Sequence, residues 1–371
     1  MFKQILYIII ISLLLLTTGC WDQRLLKNST VILGTAVDLT ENKKVAETVT
    51  FPGSSSGIDT PQTTMLVTGI GDTTKDAKAS IERKIAEKFD SSKNRVTLIG
   101  EDMAKQGVYS PLDSFYRDYQ GSLGANVAVI DGKAKEALTM IPKDTPVNVE
   151  YFANLFKSAA MDGLIENHNI QEICTIMFSK GEDFLLPYLR VNKSEKRTKI
   201  IGMAMFNKDK MVGSLSIHES RMFLLLNNHK SKNATFTIKV SDKEKSRLEN
   251  YINLSIKNIK RDFQVIEKNG AISAKIKLSI NLGVNEYPKD HLDNKKKLKV
   301  LDQHIENQFT KIANRTIDKL HAANCDGLGL GLRVKAKYPE VWNKINWNRD
   351  YPTIPIAVDI ESTIVDNGII N

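Results

Sequence analysis

Cysteine is scarce. The 371-residue chain carries three, Cys20, Cys174 and Cys325. None is spaced as C-x-x-C, so the sequence holds neither a disulfide framework nor a cysteine-built zinc ribbon. Cys174 and Cys325 lie in apolar surroundings (EICTIMF and AANCDGLGL), and we read them as two buried free thiols, with a pairing left open. The six histidines, His168, His218, His229, His291, His304 and His321, are scattered and match no metal-ligand spacing. Apolar runs of spanning length are also missing. A bilayer-crossing helix needs about 20 consecutive apolar residues, and nothing after Cys20 approaches that. The chain beyond Cys20 is therefore expected to be water-soluble.

What apolar run there is opens the chain, MFKQILYIIIISLLLLTTGCWDQRLL. The stretch from Ile5 to Leu16 is too short to cross a membrane and, behind Lys3, reads as the core of a signal peptide. Thr18 and Gly19 stand directly before Cys20, the pattern of a bacterial lipobox, with Thr17 where Leu, Val or Ile is usual. The pattern predicts cleavage between Gly19 and Cys20, an S-diacylglycerol on the Cys20 thiol and an acyl chain on the new amino group. A plain signal peptide is the weaker reading. Two or three chains anchor a protein stably, at about 0.8 kcal/mol per buried CH₂. The mature chain is thus expected on the outer face of a membrane, palmitate-anchored and without a span.

Composition is that of a folded protein, 42% hydrophobic and 26% charged, with a net charge of +9 and a pI near 9.2. An extracytoplasmic address argues against nucleic acid as the partner of this basic surface. Anionic phospholipid head groups, at about 1 kcal/mol per well-placed basic residue, or plain solvation account for it better. Roughly 350 mature residues are too many for one ordinary core and suggest two or three domains.

Patterning gives a strand at 30–38, a turn and a strand at 45–51, then an exposed Ser/Gly/Thr/Pro loop over 52–64. A strand at 64–69 precedes a helix from Thr73, and a strand at 95–99 precedes helices at 100–106 and 110–118. A strand at 125–131, a short helix in GKAKEALTM and a helical stretch over 147–180 follow. NKSEKRTK at 192–199 has no apolar residue and reads as a linker. Beyond it come two strands about a turn at 207–209 and a short helix. Ser241 and Glu244 read as a capping box opening a helix with Leu248, Ile252, Ser255 and Ile259 on one face. A hairpin turns at Asn269-Gly270, a long helix runs from 295 to 322, and IPIAVDIEST is a final strand. The fold class is α+β and multidomain, with mixed or antiparallel sheets. The expected division is signal 1–19, tether 20–29, an N-terminal region 30–191, linker 192–199 and a C-terminal domain 200–371.

Motifs that imitate catalysis fail on context. GSSSG at 53–57 has the letters of a nucleophile elbow, but Pro52 and Pro61 deny it the strand and helix that motif needs. His218-Glu219 begins an H-E-x-x-H, and Met222 stands where the second histidine belongs. In GLGLGLR, at 327–333, Leu332 replaces the third glycine of a dinucleotide loop, and we expect close backbone packing or a tight turn with no helix after it. No catalytic residue, metal site or cofactor is assigned, and the expectation is a non-enzyme.

Several segments, in order, resemble the Ger(x)C family, the lipoprotein C subunits of spore nutrient-germinant receptors. LTTGCWDQRLLKNSTVILGTAVD is similar to the family's start. RVTLIGEDMAKQGVYSPLDSFYRD is similar to its strand-helix segment through Gly100, Glu101, Ala104, Lys105, Gly107 and Arg117. GKAKEAL, at 132–138, matches too, as does AMFNKDKMVGSLSIHESRMFLLL through Gly213, Leu215 and Glu219. Near the end Gly327, Gly329, Pro339, Trp342 and Trp347 match a glycine, proline and tryptophan series. The resemblance implies three α+β domains, with a second junction to be sought near 142–146. It also implies a place on the outer face of the inner spore membrane, beside a membrane A subunit and a transporter-like B subunit. Trp342 and Trp347 could anchor an interface, although packing after Pro339 is the preferred reading. An extracytoplasmic solute-binding lipoprotein of a transporter is the alternative function; it calls for repeated βα units around a cleft, which the hairpins oppose.

Overall fold

A computed structural model describes residues 2–5, 7, 29–53, 64–118, 121–140, 148–229, 231 and 233–367. The lipobox with Gly19 and Cys20, most of GSSSG and the 142–146 segment lie outside the described residues.

Eight strands make the main sheet: β2 (Gly34–Leu39), β3 (Val45–Pro52), β4 (Thr64–Gly71), β6 (Val96–Gly100), β7 (Asn126–Asp131), β8 (Leu185–Asn192), β9 (Arg197–Asn207) and β10 (Lys210–Ser216). A short pair, β1 (Ser29–Val31) with β5 (Lys88–Asp90), lies beside it. The order across the sheet is β10-β9-β8-β7-β6-β2-β3-β4. Its four central strands run parallel, and an antiparallel pair flanks them on each side. Successive side chains of a strand face opposite ways, and both faces here are covered. Val127 and Val129 enter one core with Ile99, Leu112 and Phe206. Ala128 and Ile130 enter the other with Leu98, Phe152 and Met203. Burial on both faces explains why these strands read as continuous apolar runs.

The first core is closed by helices α2 (Glu101–Gln106), α3 (Tyr109–Arg117) and α6 (Ile170–Phe178). Helix α1 (Thr74–Glu82) starts at Thr73, whose hydroxyl accepts the Asp76 N–H, and packs on β4. The second core is closed by α4 (Ala134–Thr139), α5 (Asn148–Met161) and α7 (Ile217–Leu226). A four-stranded sheet follows, ordered β11 (Thr235–Lys239), β12 (Tyr251–Lys268), β13 (Ala271–Glu286), β14 (Ile356–Asp366). Helix α8 (Lys295–Ala322) buries Leu301, Ile305, Phe309, Ile317 and Leu320 against it. That core is continuous with the second core of the main sheet, so α7 and α8 lie between the two sheets. Three short helices close the chain before β14: α9 (Leu330–Lys337), α10 (Pro339–Trp342) and α11 (Trp347–Asp350).

The fold class is the α+β expected, and three local expectations are corrected. The run 192–199 is no linker but the tip of the β8/β9 hairpin, where Asn192 pairs with Arg197 and Asn192 Oδ1 accepts the Ser194 and Glu195 N–H groups. A charged segment without apolar residues suits a solvated hairpin tip as well as a tether. The expected helix through Ile252 and Ile259 is strand β12. Ser241 and Glu244 do bond, yet Ile252, Leu254 and Ile256 alternate buried with their neighbours, and β-branched residues favour the strand. Helix α9 begins inside GLGLGLR, at Leu330, because Gly329 takes φ = 63° and the Asp326 carboxylate receives the first amides of the helix.

Helix α7 starts in a complete capping box. The Ser216 N–H and hydroxyl both donate to Glu219 Oε2, at 2.8 and 2.7 Å, and Lys319 of α8 donates to the same oxygen at 2.7 Å. Ser216→Ala is expected to cost about 1 kcal/mol, seen as a lower urea midpoint with an unchanged denaturant slope.

Candidate functional site

A cleft of about 510 Å³ opens where the loop between α6 and β8, the β9/β10 turn and the segment around α9 to α11 meet. Its floor is a pair of carboxylates that are tied to backbone amides. Asp183 Oδ1 accepts Lys208 N–H at 2.8 Å and Oδ2 accepts Asp326 N–H at 2.9 Å. The Asp183 N–H in turn donates to the Asp326 carbonyl at 3.1 Å. Asp326 is 1% exposed; its Oδ1 accepts Leu330 N–H at 2.8 Å, and its Oδ2 accepts Gly331 N–H at 2.8 Å and Trp347 Nε1–H at 3.1 Å. Burial pushes both carboxyls up, Asp326 to about 8, while these donors pull the other way. The bonds cross between parts of the chain some 140 residues apart, so the pair is a clasp.

Close packing completes it. A β-carbon on Gly331 would fall 2.5 Å from the Gly181 Cα, and Leu332 N–H donates to the Gly181 carbonyl at 2.9 Å. Asn207 donates to the Asn324 carbonyl and to Asn348 Oδ1, and Asn324 Nδ2 donates to the Asn348 carbonyl at 2.7 Å. Trp342, Trp347 and Tyr351 form one wall, their ring centroids 5.3 and 5.7 Å apart in sequence. Tyr351 is buried and its hydroxyl donates to the Cys325 carbonyl at 2.9 Å.

Of the residues singled out by sequence, the structure brings Trp342 and Trp347 to this cleft, while Gly327 packs against Leu185 and Phe223 and Gly329 caps α9. Trp342 and Trp347 are half-buried walls of the cleft, packed against the apolar cluster of Leu330, Val334 and Tyr351. No local spacing in the sequence marks the carboxylates and asparagines. Cys174 and Cys325 are both free thiols, Cys325 buried and Cys174 half-buried, which corrects the expectation of two buried ones. His218 lies on α7, and its neighbour Glu219 is occupied by Ser216 and Lys319. Among the described residues no cluster of three or more potential metal ligands occurs, and no helix is long and apolar enough to cross a bilayer.

Two family models match. The spore germination protein N-terminal domain covers residues 22–191, and the spore germination B3/GerAC-like C-terminal domain covers 201–368. The chain is 21% identical to the putative spore germination protein YfkR of Bacillus subtilis, over 99% of this chain and 98% of that one. It is 22% identical to spore germination protein KC of Bacillus subtilis, over 100% and 97%. It is 20% identical to spore germination protein GerQC of Bacillus cereus, over 99% of each. The crystal structure of the GerBC protein shares the fold, with a TM-score of 0.60 at 19% identity over 90% of this chain and 97% of that one.

Proposed function

Because the chain belongs to the GerAC family of spore germination proteins, we propose that it is the lipid-anchored, non-catalytic C subunit of a germinant receptor, required for the response of spores to nutrients. The observation that carries this reading is the order of the two family matches, which follow one another over 22–191 and 201–368. The partners are the A and B membrane subunits of the receptor, and the place is the outer face of the inner spore membrane. The lipid on Cys20 concentrates the folded body beside those membrane partners without any new protein contact. The carboxylates of the cleft, already committed to backbone amides, suit a structural clasp better than acid–base work.

Spores lacking the gene are expected to lose release of dipicolinic acid to some nutrients while a trigger that bypasses receptors still works. An unchanged response to every nutrient in a strain stripped of other receptors would overturn the proposal. The anchor has its own test. Cys20→Ala is expected to abolish labelling by palmitate and cleavage of the signal; labelling that persists in the variant would refute the lipid site.

A further inference from the structure

We propose that the cleft between Gly181 and Tyr351 binds a neutral saccharide, of one or two sugar rings, stacked on Trp342 and Trp347. The inference stands on the cleft alone and is independent of receptor membership. Its volume, about 510 Å³, falls in the range of small-molecule sites. Trp342 and Trp347 are both half-buried in the wall, tilted by 41° to each other, and the buried Tyr351 backs Trp347. An indole face is apolar and electron-rich and suits the C–H face of a pyranose ring. Five asparagines, Asn207, Asn324, Asn343, Asn346 and Asn348, contribute to the rest of the lining; Asn207, Asn324 and Asn348 bond one another, and Asn343 is exposed. A sugar hydroxyl both donates and accepts, and an amide is the side chain that answers both without charge.

Charge argues the same way. The carboxylates of Asp183 and Asp326 are taken up by backbone N–H groups and offer no free counter-charge. The lining also carries Lys180, Lys208 and Glu182, whose side chains form no ion pair among the described residues. Both signs of charge stand there, so an ion of either sign meets like charge as well as unlike, whereas a hydroxyl-rich neutral ligand does not. Since walls of the cleft come from both halves of the chain, occupancy also tightens the clasp and raises the melting temperature.

The full-length protein in detergent is titrated by calorimetry with glucose, N-acetylglucosamine, cellobiose and chitobiose, with leucine as a zwitterionic comparison. Two of the three tryptophans line the cleft, so intrinsic fluorescence reports the same event. Expected is saturable binding of at least one saccharide with a fluorescence shift, weakened at least tenfold by Trp342→Ala. Asn343→Ala, at an exposed position, is expected to weaken it several-fold with an unchanged melting temperature, which keeps the test intact should Trp342→Ala unfold. The proposal is overturned if no saccharide binds below about 10 mM. It is equally overturned if binding survives Asn343→Ala at full strength or if leucine alone binds.

Discussion

Asp326→Ala is expected to destabilise the protein by about 3–5 kcal/mol. Three donors lose their acceptor at once, the amides of Leu330 and Gly331 and the indole N–H of Trp347. Each buried donor left unpaired costs about 1–3 kcal/mol. Asp326→Asn is expected to fare little better, because both carboxylate oxygens receive an N–H and an amide can accept on only one side. Helix α9 loses its start, and with it goes the packing of Gly331 on Gly181. The measurement is urea unfolding followed by tryptophan fluorescence, since Trp347 reports the clasp directly. A loss below 1 kcal/mol in both variants would show that the clasp contributes little.

Glu47→Gln is expected to act with the opposite sign. Glu47 lies on β3, 3% exposed, and its Oε2 has no hydrogen-bond partner. Burial pushes its carboxyl up to about 7, against the weaker pull of Lys78 and Lys75. Unfolded, a glutamate titrates near 4.5. Between those two values the folded chain holds a proton that the unfolded chain has released. Stability therefore falls as pH rises through that window, by at most about 1.4 kcal/mol per unit and about 3 kcal/mol in all. Glutamine mimics the neutral acid, so the variant is more stable than the parent at pH 8 and close to it at pH 4. Asp326, raised in the same direction, leaves part of the slope in place. Melting curves of both proteins from pH 4 to 8 decide it; parallel curves would show that Glu47 does not titrate in this range. Two buried carboxylates thus answer the same substitution differently, and the difference is the number of donors each one serves.

Much of this architecture can be read from the chain. The α8 pattern is long, its apolar residues repeat at helical spacing, and no competing period exists over 295–322. Asn269-Gly270 fixed one hairpin, with Asn269 at φ = 52° and Gly270 at 83° as such a turn needs. The failures have a common cause. Ile252 and Ile259 satisfy a helical spacing, and Ile252, Leu254 and Ile256 satisfy an alternating one; only pairing with β11 and β13 decides between them. The parallel centre of the main sheet is equally silent, since partners of β6 and β7 are set by topology. The cleft was visible in part. Trp342 and Trp347 draw notice as rare aromatics, whereas Asp183, Asn207 and Asp326 are ordinary loop residues until the fold brings them together.

The β8/β9 hairpin separates two kinds of boundary. One family model ends at residue 191 and the other begins at 201, so the hairpin tip is where two units of descent adjoin. Mechanically nothing divides there. Strand β8 carries ladder bonds to β7 on one side and to β9 on the other. Cutting the tip would leave two pieces knit by a shared sheet and a common core, and making either alone would bare a row of unmet N–H and C=O groups. Inheritance in this chain comes in halves, but sheet and core run unbroken across the seam.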